Sequence, residues 1–504
     1  MSQATPAEFS KVRSILWPIY RNEVKKFVPM LLMTFFISIN YHLLKILKDS
    51  LVVTTNASGA EVIPFLKVWA MLPTAVFMTY LFTTLSRHFS RQTVFYVMMG
   101  IFLGFFALFT FVLFPLRDQI QPYQLADHFQ SSLPEALKGL RGLIDIFRNW
   151  IISAFYVMSE MWSAIILSVL FWAFVNEITK ISEAKRFYGL LAFGTNMAGF
   201  IIGKLSAYCA RMPYNEFLPG SNQWEQSLIL YTLMLLISGA CTVILFAWMQ
   251  SYVLTDPESY SAEAKKESIE KQKNISLLES FKFLARSRYV MYIALIVLSY
   301  NIVINLTEVA WKDQLRQQHA DPNQYTAYFS EVTSITGLMA AFMAFVSGYL
   351  IRRFGWTFTA MIPPAIMLIT TFGFFLFLMF GHQFEDIILA LLHTTPLYIA
   401  VLFGSAQNVL GRVSKYTLFD ATKELSFTPL HSDEKINAKS VIDGIGSRLG
   451  KSGGSIMYQV LIVMFSGIAG TTPYVAALIC LFIFVWMTSV KSLGLQVEPL
   501  IHKK

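Results

Sequence analysis

The chain has 504 residues, 55% of them hydrophobic and 14% charged, with a formal net charge of +9 and a mean hydropathy of +0.52. An ordinary soluble domain is about 25% charged, so this balance excludes a soluble globular protein and describes a chain solvated by lipid. The positive excess reads as a topology signal and not as a nucleic-acid footprint, because the basic residues alternate between loops as described below.

Residues 1–27 carry the basic segment SKVRSILWPIYRNEVKK. It has the character of a surface-lying interfacial helix and not that of a cleavable signal or transit peptide. Apolar runs then recur at 28–48, 62–85, 93–115, 149–174, 187–209, 228–253, 289–310, 330–350, 357–380, 387–411, 440–466 and 472–490. Each is long enough to cross about 30 Å of hydrocarbon as a helix. The expectation is an all-α integral membrane protein of twelve transmembrane helices, with a short tail at 491–504.

The first span ends in NYHLLKILKDS, where Tyr41, Lys45 and Lys48 follow i, i+4, i+7 spacing and project from one face. Snorkelling of the long stems is the bland reading. The apolar run LVVTT continues beyond Asp49, however, which sets both lysines deeper than a helix end requires and favours a cationic cavity face. In the fourth span Glu160 sits about ten residues from either end, too deep to snorkel. Asn196 lies in the middle of the fifth, among small residues that permit close helix approach. Cys209, Cys241 and Cys480 all fall within apolar runs, so neither a disulfide framework nor a metal site is indicated.

Between the sixth and seventh spans lies a polar linker, 254–288, that divides the chain into halves at 28–253 and 289–490. The halves echo each other. SRHFSRQ matches GYLIRRFGW in position, and EAKRFYGLLAFGTNMAG matches NAKSVIDGIGSRLGKSGG about 254 residues later. The second of the arginine-bearing loops resembles that of the major facilitator superfamily, whose parallel halves enclose a site near the midplane. Lys and Arg collect before the first span, at Arg87 and Arg91, at Lys180, Lys185 and Arg186, and at Arg352 and Arg353. The intervening loops are balanced or lack them, which sets both termini in the cytoplasm, with a bacterial inner membrane as the simplest location.

In the seventh span Glu308 and Lys312 stand one turn apart, as an interfacial ion pair or as part of a cavity. The eleventh contains GIGSRLGKSGGS, in which Arg448 and Lys451 share a face and Gly446, Gly450 and Gly453 form a small-residue seam. The string is not a phosphate-binding P-loop, because position 445 is Ile and no strand precedes it. Cationic pairs in the first and eleventh spans, one in each half, converge across a central cavity on a polyanion. A polyphosphate answers four cations better than a neutral sugar does, and Tyr41 supplies a ring for a base.

The strings NYHLLKILKDSLVVT, GAEVIPFLKVW, FYVMSEMWS, FWAFVNEITKISEAKRFYGL, NLTEVAWK and IGSRLGKSGGS resemble the nucleotide transporter family of chlamydiae, rickettsiae and plastids, the ATP/ADP translocases, a similarity that extends from about Leu16 to Gly454. The resemblance implies functional roles for Lys48, Glu160, Glu308 and Lys451, and places Asn196 near the nucleotide, with Glu177 a nearby alternative to Glu160. The exchangers have Arg-Asp-Thr-Lys-Asp where this chain has Lys45-Ile46-Leu47-Lys48-Asp49, which loses one planar guanidinium and one carboxylate. The expected function is exchange of ATP and ADP by alternating access. Proton-driven symport, other ribonucleotides (GTP, CTP, UTP), phosphate and sugar phosphates stay open as alternatives. Tyr41, Lys45, Lys48, Asn196, Arg448 and Lys451 would bind nucleotide, and Glu160, Glu308 and Lys312 would form the ion pairs that change during translocation. No cofactor, metal or nucleic-acid partner is expected, and the unit is a monomer. A membrane transferase would need clustered acids or a His with an acid in one loop, whereas the histidines here are scattered singly.

Overall fold

A computed structural model describes residues 13, 17–55, 58–253, 287–430 and 432–501. The linker 254–286 and most of the N-terminal segment lie outside the described residues. Among those described, every regular element is helical. Twelve rods form the bundle: α1 (Val24–Thr54), α2 (Val62–His88), α3 (Arg91–Leu113), α4 (Trp150–Ile178), α5 (Ile181–Arg211), α6 (Gln223–Val253), α7 (Arg288–Gln318), α8 (322–354), α9 (356–380), α10 (396–426), α11 (432–465) and α12 (Ile468–Ile501). Nine helical stretches among the described residues are long and apolar enough to cross a membrane. The starts are set by local chemistry. The side chains of Ser90, Asn222, Ser287, Asp321 and Thr395 each accept the backbone N–H three residues on, and Pro322 and Pro396 occupy first-turn positions where a missing N–H costs nothing.

Most helices run several residues beyond the apolar runs, α7 to Gln318, α8 from Pro322 and α11 from Ser432, and three further boundaries differ in kind. Residues 17–20 are irregular and α1 begins only at Val24, so the surface helix is interrupted around Pro18. The tenth span starts at Pro396 instead of 387: Glu385–Leu392 form a separate short helix that ends at His393 in a left-handed conformation (φ 50°), and Thr395 then caps a new start. The helix continues to Ser426. At the other end α12 runs on to Ile501, so most of the presumed tail is helix.

Even span number brings both ends of the bundle to one face, here the terminal face, with the loops at 55–61, 114–149, 212–222 and 381–395 on the far face. Within the first half α1 is held centrally. The Trp162 indole donates to the Ile37 carbonyl, Asn40 to Leu235, and Ser238 to Phe36, so that α4 and α6 both bond to its backbone. Across the halves α5 faces α8 and α2 faces α11. The α5–α8 contact is close because it is lined by small residues. Ser206 and Ser330 hydroxyls are 2.9 Å apart, and a Cβ on Gly203 or Gly337 would run into the backbone opposite. Apolar side chains such as Phe77, Ile244, Ile369 and Phe484 project from the outer surface, as a lipid-facing bundle requires.

Candidate functional site

Between the halves lies a cavity of about 270 Å3, near the small end of the range of roughly 300–1,000 Å3 usual for ligand sites. Its wall takes residues from α1, α2, α4, α7, α10 and α11, three helices from each half. Seven cations line it: Lys45, Lys48, Lys67, Lys312, Arg412, Lys415 and Lys451, facing the carboxylates Glu160 and Glu308. Tyr41, Tyr300 and Tyr416 add rings, and Asn301 and Asn305 add amides.

Several of these side chains are delivered by a local widening of the helix. The Met71 N–H reaches back to Leu66 and the Asp420 N–H to Lys415, i→i+5 bonds that define single wide turns around Lys67 in α2 and around Lys415 and Tyr416 in α10. A longer wide segment begins at Ser163 in α4, one turn beyond Glu160. Such turns shift the face on which the next side chains emerge, and they recur at functional sites. In α11 the chain is brought close to α7. A Cβ on Gly450 would lie 2.6 Å from the Asn301 Cβ and one on Gly454 3.2 Å from that of Asn305, while Asn305 donates to the Lys451 carbonyl at 2.9 Å. The small-residue seam is therefore Gly450 with Gly454. The expectation of Gly446 and Gly453 on that seam fails: nothing lies within 4 Å of a Cβ on Gly453, and one on Gly446, although a turn before Gly450, meets only the Val441 carbonyl of its own helix at 3.8 Å.

The charges form an alternating chain that crosses from one half to the other. Glu160 pairs with Lys48 at 3.0 Å, Lys48 with Asp49 at 2.8 Å, Asp49 with Lys312 at 2.8 Å, Lys312 with Glu308 at 3.0 Å, and Glu308 with Arg412 at 3.0 Å. Lys48 also rests 4.3 Å from the centre of the Tyr156 ring. Lys415 pairs with Asp420 at 3.3 Å and stacks on Tyr416. Lys45, Lys67 and Lys451 line the same cavity with no carboxylate partner among the described residues. Lys45 and Lys67 are half-buried there and Lys451 is exposed, and closing the cavity over such unpaired cations is costly while it is empty and favourable once an anion enters.

Of the side chains anticipated from sequence, Tyr41, Lys45, Lys48, Glu160, Glu308, Lys312 and Lys451 come together in this one wall. Glu177 does not: it pairs with Arg91 at the terminal face. Asn196 is absent from the cavity lining, and its carbonyl faces Gly337 of α8 instead. The side chain of Arg448 lies outside the described residues. Glu308 and Lys312 do pair, but within the cavity wall and not at a membrane interface. Sequence reasoning missed Lys67, Arg412, Lys415 and Asp49. Lys67 had a signal in its depth within the second apolar run. Arg412 had none while the tenth span was expected to end at 411, since the later start at Pro396 is what carries Arg412 into the bundle.

The bonds that join described residues across the halves are Lys312 to Asp49, Arg316 to the Ser58 carbonyl, Arg211 to Glu331, Ser206 to Ser330 and Ser334 to the Phe200 carbonyl. All fall in the half of the bundle nearer the far face, so the two halves are latched there.

Comparison with known proteins bears on this site. The family model described as TLC ATP/ADP transporter matches residues 2–497. The chain is 42% identical to ADP,ATP carrier protein 1 of Chlamydia muridarum over 98% of its own length and 92% of that protein. It is 37% identical to the chloroplastic ADP,ATP carrier protein 2 of Arabidopsis thaliana over 95% of its length and 76% of that protein. Among solved structures, an inward-facing bacterial homologue of the iron transporter ferroportin superposes with a TM-score of 0.61 at 14% identity, covering 94% of this chain and 99% of that one. This last likeness shows the facilitator-type fold alone.

Proposed function

The chain belongs to the TLC ATP/ADP transporter family, and from that premise we propose that it exchanges ADP and ATP by alternating access around the cavity between its halves. The observation that carries the reading is the trio Lys45, Lys67 and Lys451, three ammonium groups that face one space from both halves with no ion-pair partner among the described residues. A polyphosphate neutralises them, and an empty carrier that closed over them would bury uncompensated charge. That asymmetry favours exchange over release of an empty carrier. Tyr41, Lys45, Lys48 and Lys451 contact the nucleotide, with Arg448 as a further contact from the spacing it shares with Lys451, while Asn196, outside the cavity lining, rests on family resemblance alone. Glu160, Glu308 and Lys312 exchange partners as the halves rock.

The basic residues of the terminal face support a cytoplasmic location for both termini in a bacterial inner membrane. On that orientation the latched far face is external and the cavity opens inward. The test is uptake of labelled ADP and ATP into proteoliposomes, empty or preloaded with nucleotide, with and without a pH gradient. Uptake only into preloaded vesicles supports exchange. Filling of empty vesicles driven by the gradient means proton symport and overturns it.

A further inference from the structure

Resting on the nucleotide-exchange reading, we propose that the species this cavity takes is the nucleoside di- or triphosphate free of divalent metal, and that Lys67 joins Lys45 and Lys451 in neutralising it. The argument begins with oxygen donors. Mg2+ holds about six oxygens and is usually anchored through one or two carboxylates besides the phosphates. The carboxylates lining the cavity are Glu160 and Glu308. Glu160 is taken by Lys48, and Glu308 by both Lys312 and Arg412. Asp49, fully buried behind them, is shared between Lys48 and Lys312. Among the described residues no cluster of His, Cys, Asp or Glu is placed to hold a metal ion. A magnesium nucleotide entering here would bring a dication among seven fixed cations with no carboxylate left to receive it.

Charge points the same way. With a second phosphate pKa near 6, a metal-free diphosphate carries about three negative charges and a triphosphate about four. The cavity offers three ammonium groups in no direct ion pair among the described residues. A magnesium complex gives up two of its negative charges and leaves the lysines in excess in a low-dielectric space, where each uncompensated charge weighs most. Lys67 has its own place in this balance. It emerges from the wide turn of α2, and α2 packs against α11, the helix of Lys451, across the boundary between the halves. An anion held by Lys67 and Lys451 together therefore touches both halves at the seam that must part when the latched face opens.

The experiment uses full-length protein in proteoliposomes preloaded with unlabelled ADP. Initial uptake of labelled ATP and of labelled ADP is measured at fixed total nucleotide, first with EDTA and then over rising Mg2+ at constant ionic strength. The expected result is a rate that falls in proportion to free nucleotide, with ATP, the tighter magnesium ligand, suppressed at lower Mg2+ than ADP. A rate that follows total nucleotide, or exchange that is absent in EDTA and restored by Mg2+, overturns the inference while leaving nucleotide exchange standing. Absence of exchange under both conditions overturns the exchange reading itself. For the residue, Lys67→Gln should raise the half-saturating concentration of metal-free ATP severalfold and that of AMP less, and Lys67→Arg, which keeps the charge, should recover most of it. Unchanged half-saturation in Lys67→Gln, or equal loss in both variants, removes Lys67 from the site.

Discussion

Asp49 of the first span and Lys312 of the seventh approach to 2.8 Å across the boundary between the halves, and the same carboxylate receives Lys48 of its own helix at 2.8 Å. Asp49 is thus the shared acid of the ion-pair chain, and its bond to Lys312 is one of those that latch the far face. Replacing it by Asn keeps the shape and removes the charge that both lysines share. Breaking a buried ion pair from one side costs roughly 3–5 kcal/mol, so Asp49→Asn should open the far face. The readout is labelling of a cysteine at Ser206, which is buried against Ser330 in the latched state, in a background without the native cysteines. Labelling as slow as in the parent would exclude the latch.

Lys45 and Lys48 share a helix face but differ in what they hold. Lys48 is engaged by Asp49, Glu160 and the Tyr156 ring, whereas Lys45 forms no ion pair among the described residues. Lys45→Ala should weaken binding of triphosphate more than diphosphate, and diphosphate more than monophosphate, with melting temperature unchanged, because an electrostatic loss scales with the charge of the ligand. Lys48→Ala should in addition lower the melting temperature, since it strands Glu160 and leaves Asp49 with Lys312 alone. Binding of all three phosphate lengths to purified variants, beside melting in detergent, separates them. Equal losses for the three nucleotides in Lys45→Ala would place the phosphates elsewhere.

Glu160 and Glu177 stand on one helix in different surroundings. Glu177 pairs with Arg91, whose side chain is 75% exposed, and an exposed pair contributes about 0–1 kcal/mol. Glu177→Gln should leave exchange at the parental rate. Glu160→Gln should slow translocation more than it weakens binding, because the amide keeps the shape but cannot trade ionic partners. Parental exchange by Glu160→Gln would remove it from the mechanism.

The α7–α11 contact discriminates between neighbouring glycines. Gly450→Ala puts a methyl 2.6 Å from the Asn301 Cβ, and overpacking of this kind costs about 1–3 kcal/mol. Gly453→Ala meets nothing within 4 Å and gains helix propensity of up to about 1 kcal/mol. Thermal melting should therefore fall for the first and hold or rise for the second. The reverse order would mean that α11 is rotated.

Asp145 supplies a pH dependence outside the membrane-spanning segments. It is 4% exposed in the short helix Arg141–Arg148 before α4, and burial, with Glu61 nearby, pushes its carboxyl up from 3.8 to about 7. The folded state thus binds the proton more tightly than the unfolded chain does, so stability from this group is complete below about pH 4 and is lost as pH rises toward 7. Asp145→Asn should flatten the fall in melting temperature over that window. A parental slope in the variant would assign the dependence to another group.

Hydropathy along the chain determined the solvent and the number of spans, because a helix that crosses lipid must satisfy its backbone internally and cover itself with apolar side chains whatever its neighbours are. The shared face of Tyr41, Lys45 and Lys48 was equally legible, since helical spacing is a local property. The register of the tenth span was not. Residues 387–411 are apolar on both sides of the short polar break His393–Thr395, and only the cap at Thr395 and the turn at His393 decide that the span begins at Pro396 and carries Arg412 and Lys415 to the cavity. The pairing of charges lay further beyond reach. That Lys48 is engaged and Lys45 is not, that Glu160 faces the cavity and Glu177 the surface, and that Asp49 bridges the halves all depend on the approach of helices far apart in sequence. A Coulomb interaction is set by distance in space, and for these groups only the packing of the two halves fixes that distance.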